Sequence, residues 1–190
     1  VRIDQITPVV NSVTTRLPTQ GRIGQFGSGE YAVPVQARWS GSDAHSGIDE
    51  YQLHLETDDV DGFLFPLPDP LATQLTVQLR PNRDYRFIAN AIDRADNRSP
   101  DRFSASRRVL LRDDTFGGIT YSDGWNESTN SGFIDGAAHA SAATDETMTF
   151  TFTGRNVAWI TSFGPANGIA EVTLDGGAPV LVDTFAPAFR

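Results

Sequence analysis

Aromatic side chains that could hold a sugar ring are the first residues in this sequence whose chemistry suggests a ligand. Trp125 and Trp159, together with Tyr121, have flat apolar faces of the kind that stack on pyranose rings. Core packing is the alternative for both tryptophans, because Trp159 alternates with Val157 as inward-facing strand residues do and Trp125 closes a turn. The sequence therefore predicts ligand-binding residues at Tyr121, Trp125 and Trp159, with packing as the alternative.

Three carboxylates in loops between predicted strands could share a calcium ion. They are Asp43, Asp93 and Asp96, and Ca²⁺ prefers several oxygen ligands of this kind. Capping of loop N–H groups is the alternative, since Asp side chains commonly accept hydrogen bonds from nearby backbone. A further acidic run, residues 58–62, is interpreted as an acidic turn, because Thr57 and Pro68 stand where a calcium loop would have ligands.

The amino-acid composition excludes several classes of catalytic site. The chain of 190 residues has no Cys, all of its 15 basic residues are Arg, and its three His are far apart. Thiolate metal sites, cysteine nucleophiles and Schiff-base chemistry are therefore excluded. The serine-hydrolase, zinc-protease and phosphate-loop motifs are absent as well. We expect no catalytic activity, and no cofactor apart from the Ca²⁺ considered above.

Charge is distributed unevenly along the chain. Residues 1–112 carry 13 Arg against 14 acidic residues, whereas residues 113–190 carry two Arg against ten. This change in net charge predicts a domain boundary after residue 112. The nine Arg between residues 80 and 112 suggest electrostatic docking within or between chains. A well-solvated surface is the alternative. The net charge of −9 argues against nucleic acid as a partner, and no apolar stretch is long enough for membrane insertion.

The elements that must position these residues are β-strands, because apolar residues recur with period two and no helical period is sustained. Short strands at this spacing indicate antiparallel sandwiches. An Asp-Gly-Gly run at residues 175–177 indicates a hairpin turn. The predicted strands cover residues 8–13, 32–39, 48–56, 73–79, 85–92, 103–111, 119–122, 147–153, 156–162, 169–174 and 180–185.

The first 112 residues resemble fibronectin type III domains. Residues 79–87, LRPNRDYRF, look like the L-x-P-x-x-x-Y-x-F signature of that family, and residues 43–47 and 91–97 are similar to D-x-x-S-G and A-x-D-x-A-x-N of its bacterial extracellular variants. The resemblance implies that Tyr85 packs at a corner and hydrogen-bonds backbone near the preceding leucine. It also implies that Trp39 and Tyr51 are structural residues of the core.

Residues 113–190 resemble a jelly-roll module, similar to galactose-binding-like and carbohydrate-binding-module sandwiches. The matching runs are residues 119–125, 150–159 and 168–176. Modules of this kind usually continue with two or three further strands, so we expect this sandwich to lack its last strands. If so, the chain is either a fragment of a longer protein or a subunit whose second sandwich is completed by a strand from a neighbouring chain.

These observations predict an all-β chain of two antiparallel sandwiches in tandem, residues 1–112 and 113–190. The expected function is a non-catalytic module of an extracellular or cell-surface bacterial protein that mediates adhesion or binds carbohydrate or cell wall. A structural subunit of a surface layer or filament is the alternative, and a non-catalytic tail of a secreted hydrolase or protease is a further one. The expected partners are polysaccharide, further copies of the chain, or neighbouring domains of a longer chain.

Overall fold

A computed structural model describes residues 4–58 and 62–189, and nearly all of its regular structure is antiparallel β-sheet. The all-β prediction is therefore confirmed. The backbone groups into two compact units, residues 1–156 and 157–190. The predicted division into 1–112 and 113–190 stays a prediction. Three residues of the predicted acidic turn, 59–61, lie outside the described residues.

The first 112 residues form two antiparallel sheets. One has β3 paired with β1, β2 and β6, and the other has the order β5-β4-β7, with β8 and β9 on the far side of β7. The strands are β1 (Val9–Arg16), β2 (Gly24–Gln25), β3 (Tyr31–Ser42), β4 (Ile48–Thr57), β5 (Phe63–Phe65), β6 (Gln74–Leu79), β7 (Asp84–Asp93), β8 (Arg102–Phe103) and β9 (Arg107–Arg108).

A single hydrophobic core lies between these two sheets. Alternate residues of β3, β4, β6 and β7 point into it, because side chains of a strand alternate between the two faces. Trp39 and Tyr51 meet there edge to face, with ring centroids 6.4 Å apart. The buried Tyr85 donates a hydrogen bond from its hydroxyl to the carbonyl of Arg80 at 2.6 Å. The structural residues named from the sequence thus all lie in or against the core.

The edge of the second sheet departs from the sequence-based prediction, which placed one strand over residues 103–111. The buried serines Ser99 and Ser104 each use their own N–H and hydroxyl to bond one residue of β7. Ser104 donates its N–H to the carbonyl of Phe87 and accepts from the N–H of Phe87, and Ser99 does the same with Ala91. Because a side chain replaces one ladder partner at each point, only β8 and β9 remain as strands.

Residues 113–156 continue the first compact unit with two small antiparallel sheets. Their strands are β10 (Ile119–Tyr121), β11 (Asn126–Thr129), β12 (Ala137–Ala140) and β13 (Met148–Phe150), with a 3-10 turn at Ile134–Gly136. β10 pairs with β13 and β11 pairs with β12. The Tyr31 hydroxyl donates to the Asp135 carboxylate at 3.2 Å and accepts from the Asp135 N–H at 2.7 Å, which ties the 3-10 turn to the start of β3.

Residues 157–189 contain one hairpin, β14 (Ile169–Val172) and β15 (Val180–Asp183). Asp175 and Gly176 both have positive φ, and the N–H of Gly177 donates to the carbonyl of Leu174 at 2.9 Å, which is the geometry of a type I′ turn. The hairpin turn predicted for residues 175–177 is therefore present. The strand predicted over residues 156–162 is absent, because within the described residues no neighbouring strand supplies backbone partners to this segment.

Candidate functional site

Four side chains of residues 113–156 form what we call the aromatic cluster: Asp114, Tyr121, Trp125 and His139. Tyr121 ends β10 and His139 lies in β12, and their rings stack with centroids 4.3 Å apart and planes at 11°. Trp125 lies on Tyr121 at 5.3 Å with a tilt of 51°. The cluster therefore joins the two small sheets of this region through its aromatic rings.

Asp114 links the cluster by hydrogen bonds. Its carboxylate is 2.6 Å from Nδ1 of His139, and its carbonyl accepts from the Tyr121 hydroxyl at 3.1 Å. Burial raises the pKa of Tyr121, and the negative charges of Asp114 and Asp113 raise it further. The side chains of His139 and Asp114 keep 23% and 21% of their surface exposed, so both are partly accessible to solvent.

Glu146 fixes the loop that presents Trp125. Its carboxylate accepts hydrogen bonds from the Ser122 hydroxyl and from the N–H of Gly124. A Cβ at position 124 would lie 2.1 Å from the Glu146 carboxylate, so only glycine allows this approach. Ser122 also pairs with Thr147 through its N–H and accepts from the Thr147 N–H. These bonds hold the loop between β10 and β11 in one conformation.

The predicted ligand-binding residues fall into two groups. Tyr121 and Trp125 come together in the first compact unit, whereas Trp159 belongs to the second. Trp159 is 44% exposed and follows the exposed Val157, so the inward alternation expected for these two residues is wrong. Asp114 and His139 were missed by sequence reasoning, because each stands alone in the sequence and only strand pairing brings them to Tyr121.

The acidic group at the end of the first sandwich contains Asp43 and Asp93, as predicted, but its third member is Asp4 and not Asp96. One carboxylate oxygen of each of Asp4, Asp43 and Asp93 lies within 4.8 Å of the others. Asp96 instead occupies a left-handed turn position with φ 64°. Sequence reasoning missed Asp4 because it is 39 residues from Asp43 and belongs to no motif.

Backbone N–H groups donate hydrogen bonds to the carboxylate oxygens of this acidic group. Asp43 accepts from the N–H of His45 and Gly47, while Asp4 accepts from Ile6 and Ser46. The hydrogen bond from Ile6 lowers the pKa of Asp4.

Asp93 is buried and belongs to the same system of caps. It accepts from the N–H groups of Ala95 and Asn97 and from the Asn97 side chain. Burial acts to raise the pKa of Asp93, but these hydrogen bonds outweigh it and the net shift is downward. The second carboxylate oxygen of Asp43 is buried without a hydrogen-bond partner among the described residues. Loop capping accounts for the other contacts, and calcium binding stays a prediction.

Comparison with known proteins gives one partial similarity. A stretch of 71 residues is 32% identical to part of the A type blood alpha-D-galactosamine galactosaminidase of Flavonifractor plautii, and covers 37% of this chain and 7% of that enzyme. No family model matches the chain. No helix among the described residues has the length and apolar character that a membrane span requires. The chain is thus similar, over a third of its length, to a small part of a carbohydrate-active enzyme.

Proposed function

We propose that this chain is a non-catalytic carbohydrate-binding module of an extracellular or cell-surface protein, with fibronectin type III-like and jelly-roll-like sandwiches. The observation that carries the proposal is the aromatic cluster, in which stacked rings stand beside a partly exposed carboxylate. Aromatic faces pack on the C–H side of a sugar ring, and carboxylates accept hydrogen bonds from its hydroxyls. The exposed Trp159 offers a second stacking surface of the same kind in the other unit.

The partial similarity to a galactosaminidase supports a carbohydrate-related role. It covers only 7% of that enzyme, so the similarity is to a short segment and not to the whole enzyme. The sequence offers no catalytic motif, and in residues 113–156 Asp114 contacts His139 while Glu146 holds the Trp125 loop. The chain in this proposal holds or delivers a glycan and leaves its chemistry to another domain.

A glycan-binding panel tests the proposal. The chain should bind at least one neutral or amino-sugar oligosaccharide saturably, and Trp125→Ala should weaken that binding by more than about tenfold, since a central aromatic typically contributes about 2 kcal/mol. Trp159→Ala measures the second surface separately. Phe103→Ala is the control for Trp159→Ala, because Phe103 on β8 is 47% exposed and Trp159 is 44% exposed. Absence of binding across a broad panel would contradict the function.

The second candidate is a structural subunit that assembles by strand addition between copies. It rests on the β14–β15 hairpin, where Val172 and Val180 pair on one face and are 38% and 62% exposed, and Leu181 on the opposite face is 69% exposed. A two-stranded hairpin with an uncovered apolar face gains stability from a further strand. Light scattering at low and high salt distinguishes the candidates: ordered polymers favour assembly, and a monomer at every salt concentration rules it out.

A further inference from the structure

The charge around the aromatic cluster favours one class of sugar over the others. Residues 113–156 contain seven carboxylates and a single arginine, Arg155, for a net charge of −6. Asp114 belongs to the cluster, Asp113 precedes it, and Glu146 holds the Trp125 loop. Arg112 adjoins Asp113 and brings the net charge of residues 112–156 to −5, and its guanidinium lies 4.6 Å from the ring of Phe116. The segment that carries the cluster is therefore negatively charged.

Aromatic rings and carboxylates together form a binding environment suited to ammonium groups. The face of an aromatic ring attracts a cation, and a carboxylate adds a charge-assisted hydrogen bond. A uronic acid or a sulfated sugar brings a negative charge to the same place and is repelled.

We propose that the aromatic cluster selects cationic amino sugars, whose free ammonium group is held by Asp114 while Trp125, backed by Tyr121, packs against the sugar ring. This inference rests on the carbohydrate-binding function proposed above and adds the chemical class of the ligand. N-acetylated sugars lack the charge and bind more weakly. Sugars that carry carboxylate or sulfate groups are excluded.

Calorimetric titration of the full chain with three matched tetrasaccharides tests this inference. The probes are β-1,4-linked glucosamine, the same tetramer fully N-acetylated, and a galacturonic acid tetramer, at a pH that keeps the amine protonated. The free amine should bind about tenfold more tightly than the acetylated form, which corresponds to one cation–π contact with its ion pair. Raising the ionic strength from about 0.01 M to about 0.15 M shortens the screening length from roughly 30 Å to roughly 8 Å and should reduce the ratio.

Asp114→Asn removes the negative charge without changing the shape of the side chain, and asparagine keeps an acceptor oxygen for His139. It should bring the affinity ratio of amine to acetylated tetramer close to one while the acetylated tetramer still binds. Asp49→Asn is the control: it removes the same charge from an exposed position on β4 and should leave the ratio unchanged. Circular dichroism confirms that each variant is folded.

The outcomes distinguish the inference from the function beneath it. Equal affinity for amine and acetylated tetramers, tighter binding of the galacturonate, or an unchanged ratio in Asp114→Asn overturns the amino-sugar inference and leaves a carbohydrate-binding module. Failure of the folded wild-type chain to bind any of the three tetramers or any member of the broader panel overturns both.

Discussion

Replacing Tyr85 by Phe removes one hydroxyl and nothing else from the core of the first sandwich. That hydroxyl donates to the carbonyl of Arg80 at 2.6 Å, and Tyr85 is only 6% exposed, so water has little access to the place of the donor. A buried hydrogen bond contributes about 0.5–1.5 kcal/mol, and an orphaned carbonyl costs about 1–3 kcal/mol. Because the ring stays in place and no cavity opens, we expect a loss of about 1.5 kcal/mol in the free energy of unfolding.

Urea denaturation followed by far-UV circular dichroism measures this change, and a thermal scan should show a fall of roughly 3–6 °C in Tm for a chain of this length. Tyr31→Phe is the matched control. The Tyr31 hydroxyl also bonds protein groups, but its contacts with Asp135 are exposed and water can take them over. That variant should lose less than about 0.5 kcal/mol.

A Tyr85→Phe variant that loses no more stability than Tyr31→Phe would refute the reasoning. It would mean that the hydroxyl does not fasten the turn between β6 and β7, and that ring packing alone explains a tyrosine at this position. An unchanged slope of the urea transition is part of the expected result, since the native state should bury the same surface.

Two further predictions concern the acidic group and the Trp125 loop. The pKa of Asp93 is lowered in the folded chain, so its contribution to stability is complete above the ordinary carboxyl pKa of about 4 and is lost as the pH falls through the lowered value. The urea concentration at the unfolding midpoint should therefore decrease as the pH is lowered from about 5 to about 2.5, and Asp93→Asn should show a smaller decrease. An equal decrease in both proteins would contradict this role of Asp93. Gly124→Ala should displace Glu146, because the added methyl group has no space beside its carboxylate. The variant should change the tryptophan fluorescence and weaken glycan binding, with little effect on the free energy of unfolding. Unchanged fluorescence and binding would show that the loop tolerates a side chain at this position.

The sequence was most informative where side chains alternate over a paired strand. Val35, Ala37 and Trp39 were predicted to face inward, and all three are buried while Arg38 is exposed, because burial of one face imposes a period of two on this part of β3. Ala32 and Pro34, predicted to face outward, are buried as well, so the alternation does not extend to the start of the strand. The same alternation failed at Val157 and Trp159. A strand exists only where a neighbour supplies its hydrogen bonds, and the local sequence does not encode that neighbour.

The candidate site was predicted only in part for a similar reason. Aromatic residues can be selected by type, so Tyr121 and Trp125 were found. His139 and Asp114 acquire their role from the pairing of β11 with β12 and of β10 with β13, which no spacing in the sequence reveals. Asp4 joins Asp43 and Asp93 through contacts between distant parts of the chain, which a motif search over neighbouring residues does not cover.

The two serines beside β7 have a consequence for how this sandwich meets other chains. Each serine hydroxyl donates its hydrogen to the carbonyl of the next residue, Pro100 or Ala105. Each also accepts a hydrogen bond from β7, so the N–H groups of Phe87 and Ala91 are both paired within the chain. The outermost strands at this edge are β8 and β9, whose exposed side chains include Arg102, Arg107 and Arg108, so a foreign strand that paired here would meet three positive charges. Replacing both serines by alanine would leave the N–H groups of Phe87 and Ala91 without their hydroxyl acceptors and weaken the attachment of this outer segment to β7.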